Sequence, residues 1–176
     1  MTRLVHYSDA PVLAVHDTPQ RPELEAYGKP HGLWVSADDH ADNWRDWCLS
    51  QEFGLSRLTH VHDVELAPGA PGGSVLHLDG AADLDRFTRE FARSDPRYSA
   101  LGLMERGYFV DWPAVAARWD GIVIAPYVWE RRLHKSTGWY YTVDCASGCI
   151  WRARAVASIT LREVVPAPQP EAEEAD

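Results

Sequence analysis

The sequence predicts a single α+β domain over residues 1–165, followed by a disordered acidic tail over 166–176. Three observations predict it. Short strand-like runs recur along the chain, the clearest being the apolar, β-branched stretch that begins at Gly121 and runs through Ile122, Val123 and Ile124. Between them lie stretches with apolar residues at helical spacing, two of them carrying paired tryptophans. At 176 residues, with 8 Trp and 45% hydrophobic content, the chain is long and apolar enough to bury one core.

Taken in order, Leu4-Val5-His6-Tyr7 is a strand turned by Ser8-Asp9-Ala10-Pro11. Residues 17–31 are rich in Pro, Glu and Gly without a clear period, and read as a surface loop ending at Lys29-Pro30-His31-Gly32. Leu33 to Ser36 is a second strand, with Trp34 and Ser36 on one face and Leu33 and Val35 on the other. Asp38 and Asp39 are helix start signals, and Trp44, Trp47, Cys48 and Gln51 follow at i, i+3, i+4, i+7, a helix packed through two indoles. Leu58 to Leu66 and Ser74 to Leu78 are strands flanking a Pro/Gly turn at 68–73. Asp79 or Asp83 then opens a helix with Leu84, Phe87 and Phe91 on one stripe. Residues 94–107 are irregular. Asp111 is an N-cap with Pro113 in the first turn, where a missing N–H costs nothing, and Trp112, Val115, Ala116 and Trp119 give the helical spacing. Residues 121–125 read as a buried strand. Ser147-Gly148 punctuates the next strand, and a Gly there implies a bulge or a close backbone approach.

A net charge of −9 argues against a surface that is wholly a nucleic-acid footprint, while leaving room for a local basic patch. No apolar run is long enough to cross a membrane, and Met1-Thr2-Arg3-Leu4 leads into a strand without a secretory pattern. The 3 Cys cannot all pair with one another. The expectation is a reduced, cytoplasmic protein.

Several constellations bear on chemistry. His60-Val61-His62 sets two imidazoles on one strand face, but a zinc site needs three or four ligands and no second cluster has a supporting spacing. Cys145 and Cys149 do not make a CxxC pair, and no local triad signature marks Cys145 as a nucleophile. Gly69 to Gly73 lacks the Lys and Ser/Thr of a phosphate cradle. Asp144 is the one carboxylate between aromatic runs, and is either functional or a turn Asp bonding its own backbone. Arg131, Arg132, His134 and Lys135 form the only dense basic run. Beside Trp129, Trp139 and Tyr140 it is either a phosphate or base grip or a solvated loop.

Three places resemble the ADP-ribosyltransferase superfamily, especially its small toxin-like and phage-encoded members. They are Val5-His6-Tyr7-Ser8; then Gly32-Leu33-Trp34-Val35-Ser36 with the helix after it; then Asp120-Gly121-Ile122-Val123-Ile124, followed by Cys149-Ile150-Trp151 and Ala155 to Ile159. The resemblance covers most of residues 3–162 and rests on the order and spacing of short motifs. It implies split antiparallel β-sheets with about three flanking helices. It also implies NAD as cofactor and transfer of ADP-ribose to a macromolecular acceptor, protein or nucleic acid. In the family a Glu stands where Ser147 stands here. That Glu hydrogen-bonds a ribose hydroxyl and stabilises the oxocarbenium-like centre as nicotinamide leaves.

Ser147 carries no charge, so the catalytic assignment is Asp144 as stabiliser with Ser147 orienting the ribose or the nucleophile. The NAD-binding set is His6, Tyr7 and Ser8 from the first strand, His31 and Gly32 ahead of the second strand, Trp34 and Ser36 on it, and Arg131 and Arg132 for the pyrophosphate, with Lys29 or His31 as a further phosphate contact. No metal is assigned. Two rivals remain open. One is a catalytically inactive module on the same fold that binds a nucleotide, RNA or a protein. The other is a structural or interaction protein whose Trp pairs serve only the core.

Overall fold

The structure, a computed structural model, describes residues 2–12, 14–21, 28–69, 74–94 and 109–168. The turn at 70–73, most of the irregular 94–107 stretch and the last part of the acidic tail lie outside these residues. Within them the chain is mixed α and β, and no helix is long and apolar enough to cross a membrane.

The strands are β1 (Leu4–Ser8), β2 (Leu33–Ala37), β3 (His60–Leu66), β4 (Val75–Leu78), β5 (Ala92–Arg93), β6 (Phe109–Val110), β7 (Gly121–Ile124), β8 (Ser147–Ile150) and β9 (Val156–Val164). Seven of them form one sheet in the order β4-β7-β8-β2-β1-β3-β9, and β5 pairs with β6 separately. β4 and β7 run parallel; the other pairs of the large sheet are antiparallel. The expected division into split antiparallel sheets is therefore corrected. β2 pairs with β1 on one side and with β8 on the other, so the early and late strands share one ladder. Every residue of β7 and β8 is buried, which is why both read as apolar or small-residue runs without alternation. β9 closes one edge, with charged Arg162 and Glu163 and two register shifts against β3 that blunt it as a pairing template.

The α-helices among the described residues are α1 (Trp44–Ser50), α2 (Ala81–Phe91), α3 (Trp112–Ala116) and α4 (Trp129–Arg132). Asp111 caps α3 as the sequence indicates, its carboxylate accepting the Ala114 N–H at 3.1 Å. At α2 neither predicted aspartate is the cap: Gly80 holds that position without a side-chain bond, and Asp83 lies in the first turn, its carboxylate accepting the Asp79 N–H at 3.2 Å. At α1 the cap is Asn43 rather than Asp38 or Asp39, its side chain accepting the Asp46 N–H at 2.9 Å. Asp38 is engaged elsewhere, as described below.

The core lies between the β4-β7-β8-β2 half of the sheet and the segments α2, α3 and 135–142. Phe87 meets Phe91, Trp112 and Trp139 at ring separations of 5.2 to 6.1 Å. Each buried indole has a partner for its N–H: Trp112 to Gly28 O, Trp139 to Thr88 Oγ1 and Trp151 to Trp119 O, at 2.7 to 2.9 Å. Asp120 receives two N–H bonds from Arg154, and its carbonyl accepts from Trp151 and Arg152, which ties the start of β7 to the end of β8. Trp44 and Trp47 are not core residues. They stack on each other at 5.1 Å at the surface, with half-exposed Phe53 edge-on to both, and only Cys48 of that stripe is buried.

Candidate functional site

A cavity of about 320 Å³ opens where β1, β2 and the approach to β8 converge. That is at the small end of the range for small-molecule sites. Sheet register decides who meets there. Val5 lies opposite Ser36 across the β1–β2 pair, and Ser36 lies opposite Ser147 across β2–β8. One wall is thus made by His6 and Tyr7, a second by Trp34 and Ser36, and a third by Asp144, Cys145 and Ser147, with Lys29, Trp44 and Arg57 completing the lining.

His6 and His62 are register partners across β1–β3, with ring centroids 5.8 Å apart. His62 is fully buried; its Nε2 accepts the Val12 N–H at 3.0 Å, so the proton sits on Nδ1, 3.4 Å from His6 O. His6 Nδ1 lies 2.7 Å from Trp34 O, and a carbonyl can only accept, so this nitrogen carries the proton. The other ring nitrogen, Nε2, is left as an acceptor on a ring that lines the cavity. Burial pushes the His6 pKa below its ordinary value, opposed by the bond to Trp34 O and reinforced by nearby His62. At neutral pH the imidazole is therefore uncharged.

The unfolded chain binds the proton more readily than the folded one, so stability is lost as pH falls below about 6.5 towards the lowered folded value. Melting temperature is expected to drop between pH 7.5 and 5.5, and His6→Gln should flatten that slope relative to wild type. Identical slopes for the two proteins would refute the assignment.

Tyr7 and Ser36 belong to a hub that the sequence did not reveal. Tyr7 OH donates to Asp38 Oδ2 at 2.8 Å and Ser36 Oγ to Asp38 Oδ1 at 3.0 Å. Ser36 Oγ also accepts the N–H of Trp44 at 3.0 Å, at the first turn of α1. Asp38 thereby locks β1, β2 and α1 together, and burial together with this bond raises the Tyr7 pKa well above its usual value. Both hydroxyls keep acceptor capacity towards the cavity while their protons are engaged.

Asp144 sits between two cations, with Lys29 Nζ and Arg132 NH2 each 3.5 Å from its carboxylate. Lys29 also stands 5.6 Å from the centre of the Trp34 ring. Ser147 Oγ donates to Cys145 O at 3.0 Å, so its lone pairs remain available. β8 runs in unbroken register through Gly148, where an added Cβ would lie 2.5 Å from Ile122 O. Gly148 therefore marks a close approach and not a bulge, and Asp144 reaches the cavity from the turn ahead of the strand. Burial raises Cys145 to about 12, a protonated thiol at neutral pH rather than an activated one.

No family model, curated protein or solved structure matches this chain. The cavity's own chemistry has to decide the functional reading.

Of the residues singled out in the sequence, His6, Tyr7, Trp34, Ser36, Asp144 and Ser147 line one cavity. Four others do not. Ser8 turns away, its hydroxyl donating to Ala10 O at 2.6 Å. His31 is exposed and braced through its backbone by Gln20. Gly32 packs against β8, where an added Cβ would stand 2.4 Å from Ile150 O. Arg131 is held by Asp85 through two bonds of 2.8 Å, so its assignment to a pyrophosphate is corrected; Arg132 stays near the site, but as a partner of Asp144. Sequence reasoning missed Asp38, Trp44 and Arg57 as neighbours of the site. Asp38 resembled a helix cap, Trp44 resembled core, and Arg57 carries no periodic signal. No group of three or more His, Cys, Asp or Glu residues suited to a metal ion occurs among the described residues.

Proposed function

We propose that the cavity is an NAD site and that the chain is an ADP-ribosyltransferase-like protein, moving ADP-ribose from NAD to a protein or nucleic-acid acceptor. One observation carries this: an imidazole, an indole and a carboxylate from distant stretches, His6, Trp34 and Asp144, face the same small cavity.

In the proposed reaction the bond from ribose C1′ to the nicotinamide nitrogen breaks and nicotinamide leaves with the bonding pair. Positive charge develops at C1′ and the ring oxygen, and a fixed carboxylate stabilises it more than it stabilises the ground state. Asp144 supplies that charge. Neutral His6 accepts a ribose hydroxyl through Nε2, Trp34 gives the nicotinamide a flat wall, and Ser147 orients the ribose or the incoming nucleophile. The acceptor atom bonds to C1′ through a lone pair, and its proton passes to solvent water.

Incubation with NAD is expected to release nicotinamide, and His6→Ala should reduce the release at least tenfold by removing a charge-free acceptor at the ribose. Release equal in the two proteins, or absent from both, would reject catalysis. A second reading, a binding module on the same fold, is favoured by one feature: Asp144 is flanked by Lys29 and Arg132, which offset its charge. Calorimetry separates the two, because a module gives heat with NAD but no turnover.

A further inference from the structure

We infer that the aromatic patch at the end of α1, formed by Trp44, Trp47 and Phe53, is a docking surface for a basic protein segment, one rich in arginine or lysine. The inference rests on the transfer reading in one respect: it names the acceptor as such a segment and not as a nucleic acid.

The rings form a fixed platform. Trp44 and Trp47 stack at 5.1 Å with 15° between their planes, and Phe53 stands edge-on to both at 6.1 and 5.5 Å. The indoles are half-buried and Phe53 is 52% exposed. At the start of α1 the Trp44 N–H donates to Ser36 Oγ and Asn43 caps the helix. At its end the Phe53 N–H returns to Cys48 O at 3.0 Å and the Glu52 N–H to Leu49 O at 3.4 Å, the two bonds of a Schellman ending. Glycine is the usual residue at the left-handed position of that motif. Here it is Glu52, at φ +48°. The chain thus bears a conformational cost that sets an exposed carboxylate next to the rings.

The charge around the platform says what covers it. Residues 38–57 carry Asp38, Asp39, Asp42, Asp46 and Glu52 against Arg45 and Arg57. Asp38 is engaged by Tyr7 and Ser36, and Asp39 lies 3.8 Å from His40. Asp42, Asp46 and Glu52 have no ion pair among the described residues. Neither arginine neutralises the patch. Arg45 is two positions from Trp47 and so on the other side of α1, and Arg57 lines the cavity. Aromatic rings beside unpaired carboxylates attract a guanidinium or an ammonium in two ways, through the ring quadrupole and through net charge.

Other occupants fit worse. A second copy carries −9 and would bring the same carboxylates against one another across a two-fold contact. Single-stranded nucleic acid stacks on aromatic rings, but its phosphates would meet those carboxylates too. Three rings at a seven-residue helix fall far short of the roughly 800 Å² that each partner buries in a standard interface, which suits a short segment. Trp44 also lines the cavity, so a segment seated on the patch reaches the cavity mouth.

The test is fluorescence anisotropy, with the full chain titrated into a labelled hexa-arginine peptide and with hexaglutamate and oligo-dT as comparison probes. Hexa-arginine is expected to bind at least about tenfold more tightly than either. Phe53→Ala should weaken it roughly three- to tenfold through the lost ring, and Glu52→Gln about threefold. Phe53→Leu keeps apolar bulk without a ring and should bind as Phe53→Ala does, so a packing defect is told from a lost cation contact. Glu163→Gln removes the same charge from β9 and should change nothing, which separates the patch from the general acidity of the chain. Absence of hexa-arginine binding, affinity unaltered in both Phe53→Ala and Glu52→Gln, an equal loss in Glu163→Gln, or oligo-dT binding as tightly would overturn the docking surface. So would a dimer in sedimentation that Phe53→Ala abolishes. With NAD present, the peptide should raise nicotinamide release in wild type and less so in Phe53→Ala; release that the peptide leaves unchanged would overturn the acceptor role. The surface and the transfer reaction fail separately. Peptide binding with the expected variant pattern but no nicotinamide release leaves the surface standing and rejects transfer. Nicotinamide release without peptide binding rejects the surface and leaves transfer standing.

Discussion

Gly32→Ala is expected to destabilise the protein by about 3 kcal/mol, combining backbone strain with overpacking. Gly32 has φ +153°, which side-chain-bearing residues rarely adopt, and an added Cβ would stand 2.4 Å from Ile150 O and 3.1 Å from Cys149 Sγ. The nearest obstacle is backbone of a central strand, which cannot swing aside as a side-chain tip would. Gly32 directly precedes the β2–β8 ladder, where Leu33 opposes Ile150 and Trp34 opposes Cys149. Its packing therefore sets how closely β2 approaches β8 and where Trp34 meets the cavity. For a chain of this length the loss corresponds to a fall in melting temperature of roughly 6–12 °C. Gly54→Ala is the control. Gly54 has φ +59° but nothing within 4 Å of the added Cβ, so only the conformational cost, about 1 kcal/mol, is expected. A Gly32→Ala protein that melts within 2 °C of wild type, or no lower than Gly54→Ala, would show that the close approach is not a constraint.

Asp144→Asn is expected to cut nicotinamide release about a hundredfold or more, with the loss in kcat. Asparagine keeps the shape and removes the charge that is to face the developing cation at C1′. The same change frees Lys29 and Arg132, both of which contact the carboxylate at 3.5 Å. Two released cations beside an anionic substrate should leave KM unchanged or lower it. The expected signature is a split, kcat down and KM not raised, where a general loss of structure would worsen both. Ser147→Ala should have a smaller effect, since that hydroxyl donates to Cys145 O and carries no charge. Turnover in Asp144→Asn within twofold of wild type would remove this carboxylate from the chemistry.

The elements that the sequence made legible are those with local causes. α3 is capped by Asp111 and begins with Trp112 and Pro113, a pattern contained within a few residues. The apolar run of β7 and the Leu84, Phe87 and Phe91 stripe of α2 read directly as buried surfaces. The structure departs from the local pattern where a distant partner overrules it. Asp38 had the form of a helix cap, but Tyr7 and Ser36 bind it, and Asn43 caps α1 in its place. Arg131 stood in the densest basic run, but Asp85, 46 residues away in sequence, neutralises it.

The sequence by itself determined the α+β class, most strand and helix positions, and a set of polar and aromatic residues worth testing. Periodicity, capping and turn chemistry act over a few neighbours and can be read from them. Only the tertiary structure decided that one sheet joins β1, β2 and β8, that six of the chosen residues share a cavity, and that Arg57 rather than Arg131 faces it. Strand register and long-range ion pairing set these outcomes, and both depend on which distant backbones lie side by side.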